Sequence, residues 1–205
     1  MKTKTLIGLI LFLSYPYIGQ FLSLDLKLFE VAMWLLLGFI LLWIYLVEKK
    51  TIASIGWKKV GIKTVLYGTG LGVVMFIIFG ICTVLIQTIG LELNQDVAKL
   101  IAGQPLPFLL LIALRAAVVE EVLYRAFAFE RLLELTKSKF IAGIIPVILF
   151  TLVHLEWGVG HLFFVFIVGG LFMLVYIMKR NLTMVIVAHF VTDVLALVVL
   201  PLLIK

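Results

Sequence analysis

Seven long apolar stretches interrupt this 205-residue chain, and they decide what it can fold into: roughly Leu6–Phe21, Leu28–Val47, Leu66–Leu91, Pro107–Ala128, Phe140–Leu155, Gly158–Met178 and Leu182–Ile204. A helix crossing a bilayer needs about 20 such residues. Apolar residues make up 64% of the chain, against about 45–50% in soluble domains, and a water-soluble globule of this size has no interior large enough to hide them. The sequence therefore predicts an all-α, polytopic transmembrane helix bundle of about seven spans, a single domain over residues 1–205. The first and fifth stretches are short. Leu6–Phe21 follows Lys2 and Lys4 like a signal-peptide core, but Tyr15, Pro16 and Tyr17 stand where small residues would mark cleavage, which favours a retained helix.

The net charge of +6 is a matter of topology rather than nucleic-acid binding, because the charges fall at the ends of the apolar runs. One side of the seven-span scheme holds Lys2, Lys4, Lys49, Lys50, Lys58, Lys59, Lys63, Arg131, Lys137, Lys139, Lys179 and Arg180; the other holds Lys27, Lys99 and Lys205. Twelve against three places the amino terminus in the cytoplasm. The basic connection Thr51–Val65, with Trp57, suits a segment lying along the inner headgroups or a solvated loop. Asn94–Pro107 reads as an outer loop. Gly68, Gly70 and Gly72 lack the preceding strand and following Lys-Ser/Thr of a phosphate loop. Gly68 and Gly72 are spaced for close helix packing, and Gly169 and Gly170 are read the same way. The single cysteine, Cys82, sits in an apolar run and reads as a small buried hydrophobe, which argues against a thiol peptidase.

Ionisable residues inside the spans are the exception that asks for a function. Arg115, Glu120, Glu121, Arg125 and Asp193 are five formal charges in the fourth and seventh stretches, a gross insertion penalty of about 15 kcal/mol. Glu121 and Arg125 are one α-helical turn apart and can pair. Glu120 points about 100° away, which leaves it better placed to take a proton from water. Arg115 lies on neither motif face. His154 follows Phe150 by four residues near the end of the fifth stretch, and His189 precedes Asp193 by four in the seventh. That carboxylate is positioned to fix the imidazole tautomer or to share a reacting oxygen with it. Taken singly, each has a bland reading too: a buried ion pair, a satisfied core histidine, a packing phenylalanine, a local hydrogen bond. His161, beside Glu156 and Trp157, reads as interfacial. At about 1.5 Å per residue, Glu120 lies ~20 Å from Pro107 and His189 ~10 Å from Leu182, compatible depths. His154 lies ~21 Å from Phe140, too far outward unless its helix starts deeper, tilts or kinks at Pro146.

Glu-Glu-x-x-x-Arg (Glu120, Glu121, Arg125), Phe-x-x-x-His (Phe150, His154) and His-x-x-x-Asp (His189, Asp193), in this order on three spans, resemble the CAAX-protease and bacteriocin-processing family of intramembrane peptidases, also called the Abi or type 2 CAAX prenyl protease family. The resemblance covers about Phe108 to Leu197 and departs in placing Ala126 where family members often have Gly after the arginine. It implies an endopeptidase of the cell membrane in which Glu120, with His154, activates water, His189 and Asp193 stabilise the oxyanion, and Glu121 and Arg125 brace the base. Phe150 is a candidate substrate contact. The implied partners are membrane lipids and a peptide or lipidated-peptide substrate, in CAAX-type processing or in bacteriocin maturation and self-immunity. The small size and short loops look prokaryotic. No cofactor is favoured. A zinc scheme with Glu120, His154 and His189 as ligands competes, although no His-Glu-x-x-His helix occurs. Asp193 has no aspartate partner within a span, and Ser14 has no partnering motif, so other intramembrane peptidase designs fit less well. A non-catalytic immunity or scaffold protein and a proton or ion carrier are the alternatives.

Overall fold

The computed structural model describes residues 2–21, 25–58, 60–91 and 94–203, and among these it contains helices and connections but no strand. Helix α1 runs Lys2–Phe21 and α2 Leu26–Leu42, the latter continued by a π-helical turn over Trp43–Val47. Then come α3 (Ile62–Thr88) and α4 (Gln95–Ala102). One unbroken rod follows, built from α5 (Leu106–Arg115), a π-helix (Ala116–Ala128) and α6 (Phe129–Thr136). Helices α7 (Lys139–Leu152), α8 (Val159–Lys179) and α9 (Leu182–Val194) complete the bundle, with a π-turn (Leu195–Val199) and α10 (Leu200–Leu203) extending α9.

Four of these helical stretches, Leu26–Val47, Ile62–Thr88, Val159–Lys179 and Leu182–Leu202, are long and apolar enough to cross a membrane; Lys139–Leu152 is a shorter apolar helix. Large apolar side chains such as Leu35, Ile77, Phe140 and Met178 point outward, the arrangement expected when lipid surrounds the bundle. Helix starts follow local chemistry. Asp25, Asn94, Ser138 and Asn181 each accept backbone N–H groups of the turn they begin. Pro107 occupies the first turn of α5, where its missing N–H is no loss.

The fourth rod continues to Thr136 rather than ending near Ala128. Asn94–Pro107 is not a plain loop: capped by Asn94, with Asp96 in its first turn and Lys99 in its last, α4 occupies most of it. The described part of Thr51–Val65 is not a free loop, since it contains a short helical turn and its last residues, from Ile62, begin α3. A 3-10 turn at Ile52–Ile55 buries Ile55 completely, and the Gly56 carbonyl accepts the Leu182 amide. Lys59, Ile204 and Lys205 lie outside the described residues.

Tight backbone packing sets α3 against α9. A Cβ on Gly72 would lie 2.6 Å from the Ala188 carbonyl oxygen, and one on Gly68 2.8 Å from the Val187 Cβ, so both glycines serve the close approach their spacing implies. Gly169 is likewise crowded, by Phe150 and Arg125, whereas Gly170 faces open space and has no packing role.

At one end of the bundle the basic connections are tied together by ion pairs. Arg131, fully buried, meets Glu48 at 2.6 Å; Lys50 meets Glu134 at 2.6 Å; Arg180 pairs with Glu130, which also accepts from Tyr176. These contacts bring together three cations, from the α2–α3 connection, from α6 and from the α8–α9 connection, that charge counting along the sequence puts on one side.

Candidate active site

The π-helical stretch Ala116–Ala128 carries both adjacent glutamates, and its register determines which arginine each one meets. In an α-helix residues five apart are separated by about 140° around the axis. Bonding from i to i+5 brings them above one another instead. Arg115 Nη1 accordingly lies 2.8 Å from Glu120 Oε1, five residues on. Glu121 and Arg125, four apart, still pair at 3.2 Å with both side chains essentially sealed from solvent. Arg115, read from sequence as lying on neither motif face, is thus the partner of Glu120, and the two glutamates have two arginines.

Arg115, unassigned from sequence, binds in two directions. Its Nε and Nη2 each lie 3.0 Å from Glu30 Oε1 on α2, and its Cζ sits 5.4 Å from the Phe29 ring centroid. Glu30, 4% exposed, is a site residue that sequence reading passes over because it stands near the start of an apolar run, where a terminal charge is unremarkable. An arginine in the fourth span without an acidic partner was the available signal, since a buried cation needs one.

Glu121 is the hub of the second cluster. One oxygen, Oε1, accepts from His189 Nδ1 at 2.8 Å while also pairing with Arg125. Asp193 Oδ2 lies 3.5 Å from His189 Nε2. It is therefore Glu121, not Asp193, that fixes the imidazole through Nδ1; Asp193 stands at the other ring nitrogen. Phe172 stacks on His189 at 5.4 Å. Arg125 donates to the Gly169 carbonyl and sits 4.3 Å from the Phe150 ring centroid, a cation–π contact inside the bundle. Phe150 is 6% exposed, and its ring meets Arg125, Tyr124 and His154. It stands behind the site as packing.

His154 lies two residues beyond the last residue of α7, in the turn that leads to a 3-10 turn at Leu155–Trp157. Its Nδ1 lies 2.8 Å from the Phe150 carbonyl, which can only accept, so Nδ1 carries the proton and Nε2 is left as the acceptor in the neutral ring. His161, at the start of α8, stacks on Trp157 at 4.8 Å and lies 5.7 Å from His154. Glu120 interacts electrostatically with His154, His189 and Asp193. Side chains from the central rod, the α7 end and α9 therefore share one region, although simple depth counting puts His154 too far outward. Helix α7 stops at Leu152, and the turn after it brings the imidazole back alongside Phe150. Among the described residues no group of three His, Cys, Asp or Glu side chains is disposed to hold a metal ion, so Glu120, His154 and His189 do not form a ready ligand set.

A helical membrane protein with paired glutamates, arginines and histidines in its interior is the class that this fold and site define. Residues 102–195 match the family model of Rce1-like type II CAAX prenyl endopeptidases, so a little under half of the chain is similar to that family. Glu120, Glu121, Arg125, Phe150, His154 and His189 fall within the matched stretch, as does Asp193; Glu30 falls outside it. No curated protein and no solved structure matches the chain.

Proposed function

We propose that this protein is an intramembrane endopeptidase that hydrolyses a peptide bond of a membrane-associated substrate by glutamate-activated water, within a seven-span bundle of the prokaryotic plasma membrane whose amino terminus is cytoplasmic. The observation that carries the reading is the meeting of three helical segments: Glu121 of the central rod binds His189 of α9, whose other ring nitrogen faces Asp193, and Phe150 joins His154 to Tyr124 and Arg125 of the rod. Arg115 holds one oxygen of Glu120, and the other oxygen has no protein partner among the described residues. That oxygen takes the proton of the attacking water, while the His154 Nε2 lone pair orients the same water. The tetrahedral oxyanion forms at the His189 Nε2 edge, where the imidazolium, its Nδ1–H held by Glu121, donates its second N–H. Asp193 orients that edge or, when protonated, donates as well. Glu120 then returns its proton to the leaving amine. Arg125 and Phe150 hold Glu121 in place. No metal is assigned a step.

The test is cleavage of a peptide library by the purified chain in lipid nanodiscs, with prenylated CAAX-type and unmodified peptides compared. Glu120→Gln and His154→Ala should each lower turnover by about 10²-fold or more with the unfolding midpoint retained. Undiminished cleavage by folded Glu120→Gln refutes the mechanism.

A further inference from the structure

Outside the central rod, a groove between α1 and α2 has chemistry that the peptidase reading does not use. Its walls are apolar from end to end, lined among others by Leu11, Tyr15, Leu36, Phe39, Trp43 and Val47, and it holds about 400 Å³. From Leu36 to Val47 it follows helix for about 16 Å at 1.5 Å per residue, close to the half-thickness of an ~30 Å hydrocarbon core. At Val47 it meets a second, polar pocket of about 250 Å³ lined by Lys4, Thr5, Val47, Glu48, Lys49 and Lys50. Val47 belongs to both linings, so a depth-limited apolar slot ends in a cationic mouth.

The charges of the mouth do not cancel. Glu48 is taken by Arg131, and Lys50 by Glu134. Lys4 spends one donor on the Val47 carbonyl, fastening α1 to the end of α2, and both it and Lys49 are exposed. Lys49 has a φ of 57°, a left-handed turn that lysine rarely adopts. Two cations thus remain over the opening of a slot one leaflet deep.

We propose that this composite groove is a binding site for one anionic phospholipid, with the phosphate-bearing headgroup between Lys4 and Lys49 and an acyl chain along α1 and α2. A zwitterionic lipid fills the slot but gains less from the mouth, and a soluble phosphate gains the mouth without the slot. Occupancy also reaches the central rod. Phe12, on the groove wall, packs edge-on against both Trp43 and Phe127, and Phe127 lies in the π-helical stretch that carries the glutamates.

The experiment is native mass spectrometry and thermal unfolding of the full chain in detergent, titrated with phosphatidylglycerol, with phosphatidylcholine of the same acyl chains, or with inorganic phosphate. One phosphatidylglycerol is expected to be retained per chain and to raise Tm. Its preference over phosphatidylcholine should be about 30-fold, from two lysines near the headgroup. Inorganic phosphate should do neither. Lys4→Glu combined with Lys49→Glu should erase the preference, and Lys4→Gln with Lys49→Gln supplies the same comparison should the reversed charges prevent folding. Leu11→Trp, which fills the slot, should reduce retention of both lipids. Equal retention of the two lipids, preference surviving in the double variants, or stabilisation by phosphate alone overturns the proposal.

Discussion

Replacing Arg115 with methionine should be one of the most damaging single changes available in this protein. The guanidinium lies 3.0 Å from Glu30 and 2.8 Å from Glu120, with Arg115 7% and Glu30 4% exposed. Methionine fills similar volume but strands both carboxylates. Glu30 suffers more, because Arg115 is its partner through one oxygen and the other is already buried without a hydrogen bond. Removing one member of a buried ion pair costs about 3–5 kcal/mol. Adding Glu30→Gln to Arg115→Met removes the worse-placed charge and should recover about 1–3 kcal/mol, the usual coupling range for contacting residues. Glu30→Gln alone should be milder, since the amide oxygen still accepts from Arg115. Unfolding by titration with dodecyl sulfate in mixed micelles, followed by tryptophan fluorescence, measures each variant. A loss below about 1 kcal/mol for Arg115→Met, the scale of an exposed pair, refutes the reasoning. So does a double variant no more stable than the single one.

Gly72→Ala should lower stability by about 1–3 kcal/mol through overpacking against Ala188 and Val191, while Gly170→Ala, with open space around it, should leave the unfolding midpoint unchanged. Arg125→Lys keeps the charge but cannot combine the contacts to Glu121, the Gly169 carbonyl and the Phe150 face, so a loss of about 2 kcal/mol or more in the same titration is expected. Glu121→Ala removes the acceptor at His189 Nδ1 and should cut turnover with little change in KM; a pure KM effect counts against the orienting role. A chelator should leave peptide cleavage unchanged, and loss of activity restored by added zinc would count against the metal-free scheme.

Some of this organisation is legible from residue spacing. Glu121 and Arg125 are found as a pair because four residues return a helix to the same face, and the small side chains of Gly68 and Gly72 mark the close α3–α9 contact. The Arg115–Glu120 contact is not legible in the same way. Apolar periodicity separates buried from exposed faces, but nothing in the run Ala116–Ala128 announces a change from four-residue to five-residue bonding. Glu30 is hidden by its position at the edge of an apolar run, and its importance emerges only from an arginine about 85 positions away in sequence. His154 is placed by a helix ending rather than by a helix face, which depth counting does not capture. The helix that Asn94 opens, with Asp96 just inside, is hidden as well, because Gly103, Pro105 and Pro107 after it read as a loop.

The π-helix also sets what kind of mutation the chain tolerates. A loop absorbs a lost residue by slackening, but a wide-bore coil can shed one and close down into the commoner, tighter winding. Omitting Val118 would do this without disturbing a single ionisable group. The shortened rod would still bring the second acid of the doublet against its own guanidinium, while spacing the first acid four places from Arg115 instead of five. The stretch can therefore give up one residue and keep both acid–guanidinium pairs, because a change of winding makes good the change of length.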